Sequence, residues 1–242
     1  MPVTPPDAND HVVPCRPTVS CTAELATPGT LEIEAGYNFQ GNSAVATRNF
    51  PFLLKLTLSK MLQLQVGSNG LTLAEPLLPP LGSTLYFDNL LAGAKLHLLD
   101  QGKLSPSVAI TALVGIPTRA DANVDVFVTG HASKDIGALH ADLNAGITEW
   151  MVDTGAPVAQ GLIAFALSTS LPPPFGIALE TYYLSNARPA APNDGGVRLA
   201  ISATPKPWLI FDFGGDAGFF PSVRSYTVFF GMSIVPAVFW RK

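Results

Sequence analysis

Apolar and polar side chains alternate with a period of two along most of the sequence after residue 30. In the first stretch Leu31 and Ile33 fall on one face of an extended chain, while Glu32 and Glu34 fall on the other. Successive side chains of a β-strand point to opposite faces, so this pattern predicts strands with one apolar and one polar face. Strands are predicted near residues 31–40, 50–59, 62–67, 89–98, 107–116, 124–131, 139–148, 161–170, 175–184, 197–203, 208–214 and 226–235.

The low content of charged residues indicates whether water or lipid surrounds these strands. Charged residues make up only 13% of the chain, roughly half of what a soluble domain carries. A soluble β-barrel or sandwich would also alternate, but it would need the apolar face inside. We therefore predict an all-β fold, a transmembrane antiparallel up-and-down β-barrel of about twelve strands, each long enough to cross a bilayer at a tilt.

The predicted connections alternate between short and long. Short ones fall near 59–60, 100–103, 133–135, 172–174 and 205–207; longer ones include Gly41–Asn49, Ser68–Thr84 and Ser185–Gly195. Outer-membrane barrels have short periplasmic turns and longer external loops, and an even strand number puts both termini at the same end. The sequence therefore predicts a multi-pass protein of the bacterial outer membrane with both termini in the periplasm.

Residues 1–29 lack this periodicity and contain both cysteines, Cys15 and Cys21. We expect two parts: an irregular periplasmic segment, 1–29, and a transmembrane barrel, 30–242. The segment could plug the lumen or hang free. In an oxidising compartment the cysteines would form a small-loop disulfide; two free thiols are the alternative. No signal peptide is visible, so we expect a mature form from which it has been removed.

Charged side chains on the predicted strands belong to the lumen, because placing them in hydrocarbon is costly. These side chains could have two roles, which are compatible with each other. They could form a cross-strand ionic network that stabilises the barrel, and they could line a pore and set its selectivity. The predicted lumen-lining residues are Glu32, Glu34, Lys55, Lys95, His97, His140, Asp142, Glu180, Arg198 and Asp212.

Catalysis has little support in the sequence. His140 and Asp142 could belong to a membrane hydrolase, but no Gly-x-Ser-x-Gly motif is present, and a lumenal histidine faces away from lipid. A metal site of His97, His131, His140 and Asp142 lacks ligand spacing that supports it. The net charge of −4, without a basic cluster, excludes nucleic acid. We expect no enzyme, cofactor or metal.

Several segments resemble the outer-membrane transporter family named for the meta-pathway of phenol degradation. The residues that carry the resemblance are Thr27–Tyr37, Asp88 to Lys95, Gly115–Thr118, Phe175–Glu180 and Asp212–Gly215. The C-terminus departs from the usual barrel pattern, since Pro236 precedes Phe239-Trp240 and Arg241-Lys242 follow. The resemblance implies a passive channel for small molecules, hydrophobic ones included.

The function predicted from these observations is passive diffusion of small molecules through an outer-membrane channel. The alternative is a structural or surface-binding barrel with no open pore, in which the external loops do the work. The expected partners are outer-membrane lipid, a small-molecule permeant and, during biogenesis, the outer-membrane assembly machinery. We expect a monomer.

Overall fold

A computed structural model describes residues 4–7, 10–42, 44–77, 82–119, 124–151, 157–185, 193–220 and 224–240. These residues form fifteen β-segments, which are β1 (Thr30–Gly41), β2 (Val45–Asn49), β3 (Phe52–Thr57), β4 (Leu62–Ser68), β5 (Leu71–Pro76), β6 (Thr84–Phe87), β7 (Leu90–Leu99), β8 (Ser107–Ile116), β9 (Asp125–Ile136), β10 (Leu139–Met151), β11 (Pro157–Ser170), β12 (Phe175–Leu184), β13 (Asp194–Lys206), β14 (Leu209–Gly218) and β15 (Tyr226–Val238). In the described ranges, no helix has the length and apolar character to span a membrane.

The sheet closes on itself through its first and last segments. β1 pairs antiparallel with β15, from Thr30 opposite Val238 to Gly41 opposite Tyr226. Every other neighbouring pair is also antiparallel, and from β7 to β15 the order in the sheet follows the order in the chain. Closure satisfies the backbone hydrogen bonds of the first and last strands, as a structure in lipid requires.

Three barrel strands are each interrupted once, so the fifteen segments make twelve strands. The first interrupted strand consists of β2 and β3, which both pair with β1. The second consists of β4 and β5 and the third of β6 and β7, with β4 paired to β7 and β5 paired to β6. Gly70, between β4 and β5, has a φ of +70°, and a Cβ there would lie 2.1 Å from the carbonyl oxygen of Phe50. Only glycine suits this left-handed break in the strand.

Three connections predicted from the sequence are wrong, and one of them, 133–135, lies within β9. Within Gly41–Asn49, residues 45–49 form β2, and within Ser68–Thr84, residues 71–76 form β5. Both segments continue the hairpins of the barrel wall beyond the breaks. Their alternation is too short to stand out in the sequence, because Pro51 and Gly70 divide strands that pairing makes continuous.

The last strand continues past Pro236 by means of a bulge. The pairing moves from Leu31 opposite Ala237 to Ile33 opposite Ile234, so two residues of β15 face one residue of β1. Proline has no backbone N–H to donate, and a bulge is a position where this loss is tolerated. The closing strand therefore extends to Val238 despite the proline.

The two faces of the wall are inverted relative to a soluble protein. On β10, Asn144 is 1% exposed, whereas Leu143 beside it is 45% exposed. Among the largest fully buried side chains are Lys55, Lys95 and Glu180, and the outward face carries leucine, isoleucine, valine and phenylalanine. An apolar outer band around a polar interior is typical of a transmembrane barrel, and the predicted fold class is confirmed.

The two ends of the barrel differ. The connections 58–61, 100–106, 137–138, 171–174 and 207–208 lie at the end where β1 begins and β15 ends. We call this the short-turn end. At the opposite end β1, β5, β8, β10, β12 and β14 reach their last residues, and the connections that follow them lie partly or wholly outside the described residues.

Candidate functional site

The N-terminal residues 10–29 run inside the barrel, and we call them the lumen segment. Ser20 and Ala23 are fully buried, although the segment forms no strand. At the short-turn end Val12 packs against Val235 and Val238, and its N–H donates to the carbonyl oxygen of Pro207 over 3.0 Å. Of the two positions that the sequence left open, the contacts place this segment in the lumen.

Three charged side chains form a buried cluster where the lumen segment passes β1 and β3. Lys55 Nζ lies 2.7 Å from Glu34 Oε1 and 3.3 Å from Glu32 Oε2, and none of the three is more than 1% exposed. Antiparallel pairing sets Glu32 opposite Lys55. One lysine thus faces two carboxylates, so each carboxylate needs further donors.

The backbone of the lumen segment supplies those donors. The N–H of Val13 donates to Glu32 over 2.7 Å, and the N–H groups of Cys15 and Arg16 donate to the two oxygens of Glu34 over 2.9 Å each. Charge-assisted bonds of this kind are about twice as strong as neutral ones. The segment and the cluster therefore stabilise each other.

Glu180 on β12 makes a second attachment in the same way. It accepts hydrogen bonds from the N–H groups of Val19 (2.7 Å) and Ser20 (2.6 Å) and from Ser20 Oγ (2.8 Å). Arg198 lies opposite Glu180 on β13, but its guanidinium pairs with Asp216 at 2.9 Å. Glu180 is thus satisfied mainly by the lumen segment.

Asn144 on β10 binds Cys21 through both halves of its amide. Its Oδ1 accepts from the Cys21 N–H over 2.8 Å, and its Nδ2 donates to the Cys21 carbonyl oxygen over 2.9 Å. Ser133 Oγ accepts from the N–H of Ala23 over 2.7 Å and donates to Asp142 over 2.5 Å. The contacts of Asn144 and Ser133 with the lumen segment join neutral groups, and they continue the attachment towards β9.

Cationic side chains of the wall bind the carbonyl groups of the segment. Lys55 donates to Val13 over 2.6 Å, and Arg198 donates to Pro17 over 3.0 Å. Lys95 donates to Thr22 and Glu24. The barrel thus binds mostly the main chain of the lumen segment. For this attachment the path of the segment's backbone matters more than the identity of its side chains.

Arg16 of the lumen segment also binds the wall through its side chain, in an ion pair. Its guanidinium binds Asp212 on β14 with Nη2 at 3.0 Å from Oδ1 and Nε at 3.2 Å from Oδ2. A Cβ at Gly36 or at its pairing partner Gly231 would lie 2.6 Å from an atom of this guanidinium. The facing glycines make room for Arg16.

The predicted disulfide between Cys15 and Cys21 is confirmed. It closes a loop that contains the residues bonded to Glu34, Glu180 and Asn144. The bond therefore joins the attachments on opposite sides of the lumen.

His140 lies apart from these attachments, near the turn between β9 and β10. Its Nδ1 is 2.7 Å from Asp135 and its Nε2 is 3.2 Å from Asp142. Because a carboxylate faces each ring nitrogen, neither is available to take a proton from a serine, which a hydrolase would require. Within the described chain, no three His, Cys, Asp or Glu side chains group as metal ligands.

A second ionic cluster forms around Arg198 and Arg224, on and next to β12 to β15. Arg224 Nη2 lies 3.0 Å from Asp194 Oδ2 and also bonds the Tyr182 hydroxyl. The Arg198 guanidinium stands 4.9 Å from the Phe229 ring centre, a cation–π distance. This cluster lies towards the end opposite the short turns.

A cavity of about 560 Å³ lies between the lumen segment and the wall of β9 to β14. Thr18 and Thr22 of the segment line one side of it. The wall opposite presents mostly small residues, Ala166, Ser168, Ala178, Ala200 and Ser202. Gly137 and Ala138 of the β9–β10 turn also line it, as do Ser170 and Phe175 at the ends of β11 and β12, so the cavity is at the short-turn end.

The predicted lumen-lining residues meet around the lumen segment, except His140, which joins only through Asp142. His97 takes part through the carbonyl oxygen of Ala23, at 3.0 Å. Sequence reasoning did not identify Arg16, Asn144, Ser133 or Asp216 as members of the site. Asn144 could have been found, because it continues the polar face of His140 and Asp142; Arg16 lies outside any periodic segment.

Neither a protein-family profile nor a curated protein sequence matches the chain. Among solved structures, an outer membrane channel from Pseudomonas putida F1 is similar with a TM-score of 0.65 and 11% identity, over 88% of this chain and 97% of that chain. The NanC porin is similar with a TM-score of 0.59 and 10% identity, over 84% and 98% of the two chains. At these identities the likeness shows a shared fold.

Proposed function

We propose that the chain is an outer-membrane channel through which small molecules diffuse passively, and that it catalyses no reaction. The observation that carries the proposal is the cavity of about 560 Å³ inside a polar lumen, surrounded by a wall whose outer face is apolar. A barrel that served only as an anchor would have no need of such a space beside its lumen segment.

The proposed route follows the cavity along β10 to β13 as far as Glu180, whose hydrogen bonds hold the lumen segment against the wall. Beyond that point the cluster of Arg198, Tyr182 and Arg224 occupies the lumen. The route therefore suits small molecules and a low flux. We place the short-turn end and both termini in the periplasm, so the cavity opens to that side.

The chemistry of the cavity supports permeants that need not be charged. Phe175, Ile177 and Leu139 line it together with Ser168 and Ser202. A wall that mixes hydroxyl groups with apolar side chains accommodates a small molecule having both kinds of surface. This agrees with the hydrophobic permeants implied by the resemblance to the meta-pathway family.

Planar-bilayer recording and liposome swelling with the full chain would test the channel. We expect a small conductance and a swelling rate that falls steeply as neutral solutes become larger. Empty bilayers and liposomes give the baseline. Correctly folded protein with neither conductance nor solute flux would contradict the proposal.

A second candidate is a structural or surface-binding barrel without an open pore. It is favoured by the many hydrogen bonds that hold the lumen segment across the bore. Of the loops that would do the work, Ser68–Thr84 contains β5, and most of Ser185–Gly195 lies outside the described residues. Absence of solute flux, together with an intact barrel, would favour this candidate.

The surroundings of the barrel remain predictions. We propose that it is a monomer in outer-membrane lipid and that the assembly machinery inserts it. Light scattering of the detergent-solubilised protein would test the monomer, with a dimer mass as the contrary result.

A further inference from the structure

Lys95 on β7 is a buried cation beside the disulfide. Its side chain is 1% exposed, and Nζ lies 3.5 Å from Cys21 Sγ. Its other hydrogen-bond partners are the carbonyl oxygens of Thr22 and Glu24. Within the described ranges Lys95 has no carboxylate in an ion pair, whereas Lys55 has two.

The two residues that pair with Lys95 on the adjacent strands are also neutral, and the charges of Asp142, Glu32 and Glu34 act on it without forming an ion pair. Antiparallel pairing sets it opposite Gln63 on β4 and Thr111 on β8. A buried ammonium group is costly without an anion. Reduction of the disulfide would create one at Cys21, because a nearby lysine favours the thiolate over the thiol.

We propose that Cys15–Cys21 is a thiol–disulfide exchange site in which Lys95 stabilises the Cys21 thiolate, and that reduction there loosens the lumen segment. The two halves of the disulfide are unequal. Cys21 is 8% exposed and next to the ammonium group, whereas Cys15 is partly exposed. Attack is therefore directed at Cys15, and Cys21 is the leaving group.

The reductant is a dithiol, either a small molecule or the Cys-x-x-Cys pair of an oxidoreductase. Its thiolate attacks Cys15 Sγ, the Cys15–Cys21 bond breaks, and Cys21 leaves as a thiolate paired with Lys95. The second thiol of the reductant then attacks the mixed disulfide and releases Cys15. The protein gains two electrons, and the reductant becomes a disulfide.

Reduction is expected to loosen the lumen segment, because the loop closed by Cys15 and Cys21 contains its attachments to Glu34 and Glu180. The N–H groups of Cys15 and Arg16 bind Glu34, and those of Val19 and Ser20 bind Glu180. The disulfide limits the conformations of the chain between these two attachments. Once the disulfide is reduced, the two attachments fluctuate independently. The further consequence, a wider route for a permeant, rests on the proposed channel function.

The rate of reduction tests the role of Lys95. The folded full chain in detergent micelles is treated with dithiothreitol, and free thiols are counted by the mass added by a maleimide. We expect Lys95→Gln to slow reduction about ten-fold and Lys95→Arg to stay within about two-fold of the unaltered protein. Lys60→Gln, at an exposed position, is the matched control; equal rates for Lys95→Gln and the control would overturn the proposal.

A trapping experiment needs no variant. Glutathione forms a mixed disulfide with the cysteine that it attacks, and peptide mapping locates it. We expect the adduct on Cys15, and an adduct mainly on Cys21 would contradict the assigned direction.

Hydrogen exchange and conductance test the loosening. After complete reduction we expect the amides of residues 15–21 to exchange at least about ten-fold faster, and Cys15→Ser/Cys21→Ser to match the reduced protein. Unchanged exchange would overturn the loosening. Conductance should rise on reduction; no current in either redox state would count against the channel alone, because the exchange measurements need no pore.

Discussion

The two sides of the lumen are built from the same pleated wall but present different side chains. The side formed by β1, β3 and β7 carries Glu32, Glu34, Lys55 and Lys95, which reach the lumen segment. The side formed by β11 to β13 carries mostly alanine and serine, and a cavity remains there. Side-chain length, and not strand number alone, therefore decides how much of the lumen of a barrel of this size is filled.

Glu180 belongs to both sides of this comparison. It lies on β12, two residues from Ala178, which lines the cavity, but its carboxylate binds the lumen segment. One long side chain in a wall of small ones thus fixes how far the segment extends across the bore.

The largest effect is expected from breaking the filled side at Lys55. Lys55→Met leaves Glu32 and Glu34 buried without their cation, and we expect the free energy of unfolding to fall by about 3–5 kcal/mol. Urea titration of the protein folded into lipid vesicles measures it. Lys60→Met, at an exposed position, should change stability by no more than about 0.5 kcal/mol; similar losses in both variants would refute the assigned role of Lys55.

A smaller effect is expected at Glu180. Glu180→Gln removes the charge that strengthens three hydrogen bonds to Val19 and Ser20, at a cost of about 1.5–3 kcal/mol. Amide hydrogen exchange of residues 17–22 should accelerate accordingly. The control is Glu75→Gln, because Glu75 pairs with Arg48 on a half-exposed part of the wall. Equal exchange in the two variants would mean that Glu180 does not hold the segment.

The fit of Arg16 between two glycines gives a third prediction. Gly36→Ala places a Cβ against the Arg16 guanidinium and should weaken its pairing with Asp212, lowering the free energy of unfolding by about 1 kcal/mol. Gly82→Ala is the control, since nothing lies within 4 Å of a Cβ there. Urea unfolding distinguishes the two variants, and an unaffected Gly36→Ala protein would show that the guanidinium has room to move.

The smallest effect is expected from filling the open side. Ala178→Phe would occupy part of the cavity and reduce solute flux by about two-fold, with little loss of stability. Leu179→Phe adds a ring to the next residue, which is 52% exposed on the outer face, and should leave the flux unchanged. Liposome swelling gives both rates. A flux that Ala178→Phe leaves intact would move the route away from this cavity.

Much of the barrel could be predicted from local pattern. The alternation of Leu31 and Ile33 with Glu32 and Glu34 gave both the strand and its two faces, because the direction of a side chain in a strand depends only on its position. Residues 45–49 and 71–76 were misread as parts of loops, since hydrogen bonding to a neighbouring strand restores a strand that the sequence interrupts.

The site was predicted less completely. The charged residues of the wall were identified because hydrocarbon excludes them, but their partners in the lumen segment were not. The bond from Val19 to Glu180 joins residues 161 positions apart, and the segment uses backbone groups that every residue has. No residue type marks such a contact in the sequence.

The sequence by itself determined an antiparallel barrel with an apolar outside and a charged inside, because period-two alternation and the cost of charge in lipid are local properties. Only the tertiary structure decided that residues 10–29 occupy the lumen, that Lys95 lies beside Cys21, and that a cavity remains along β11 to β13. Those features depend on which residues closure of the sheet brings face to face, and on the volume left between them.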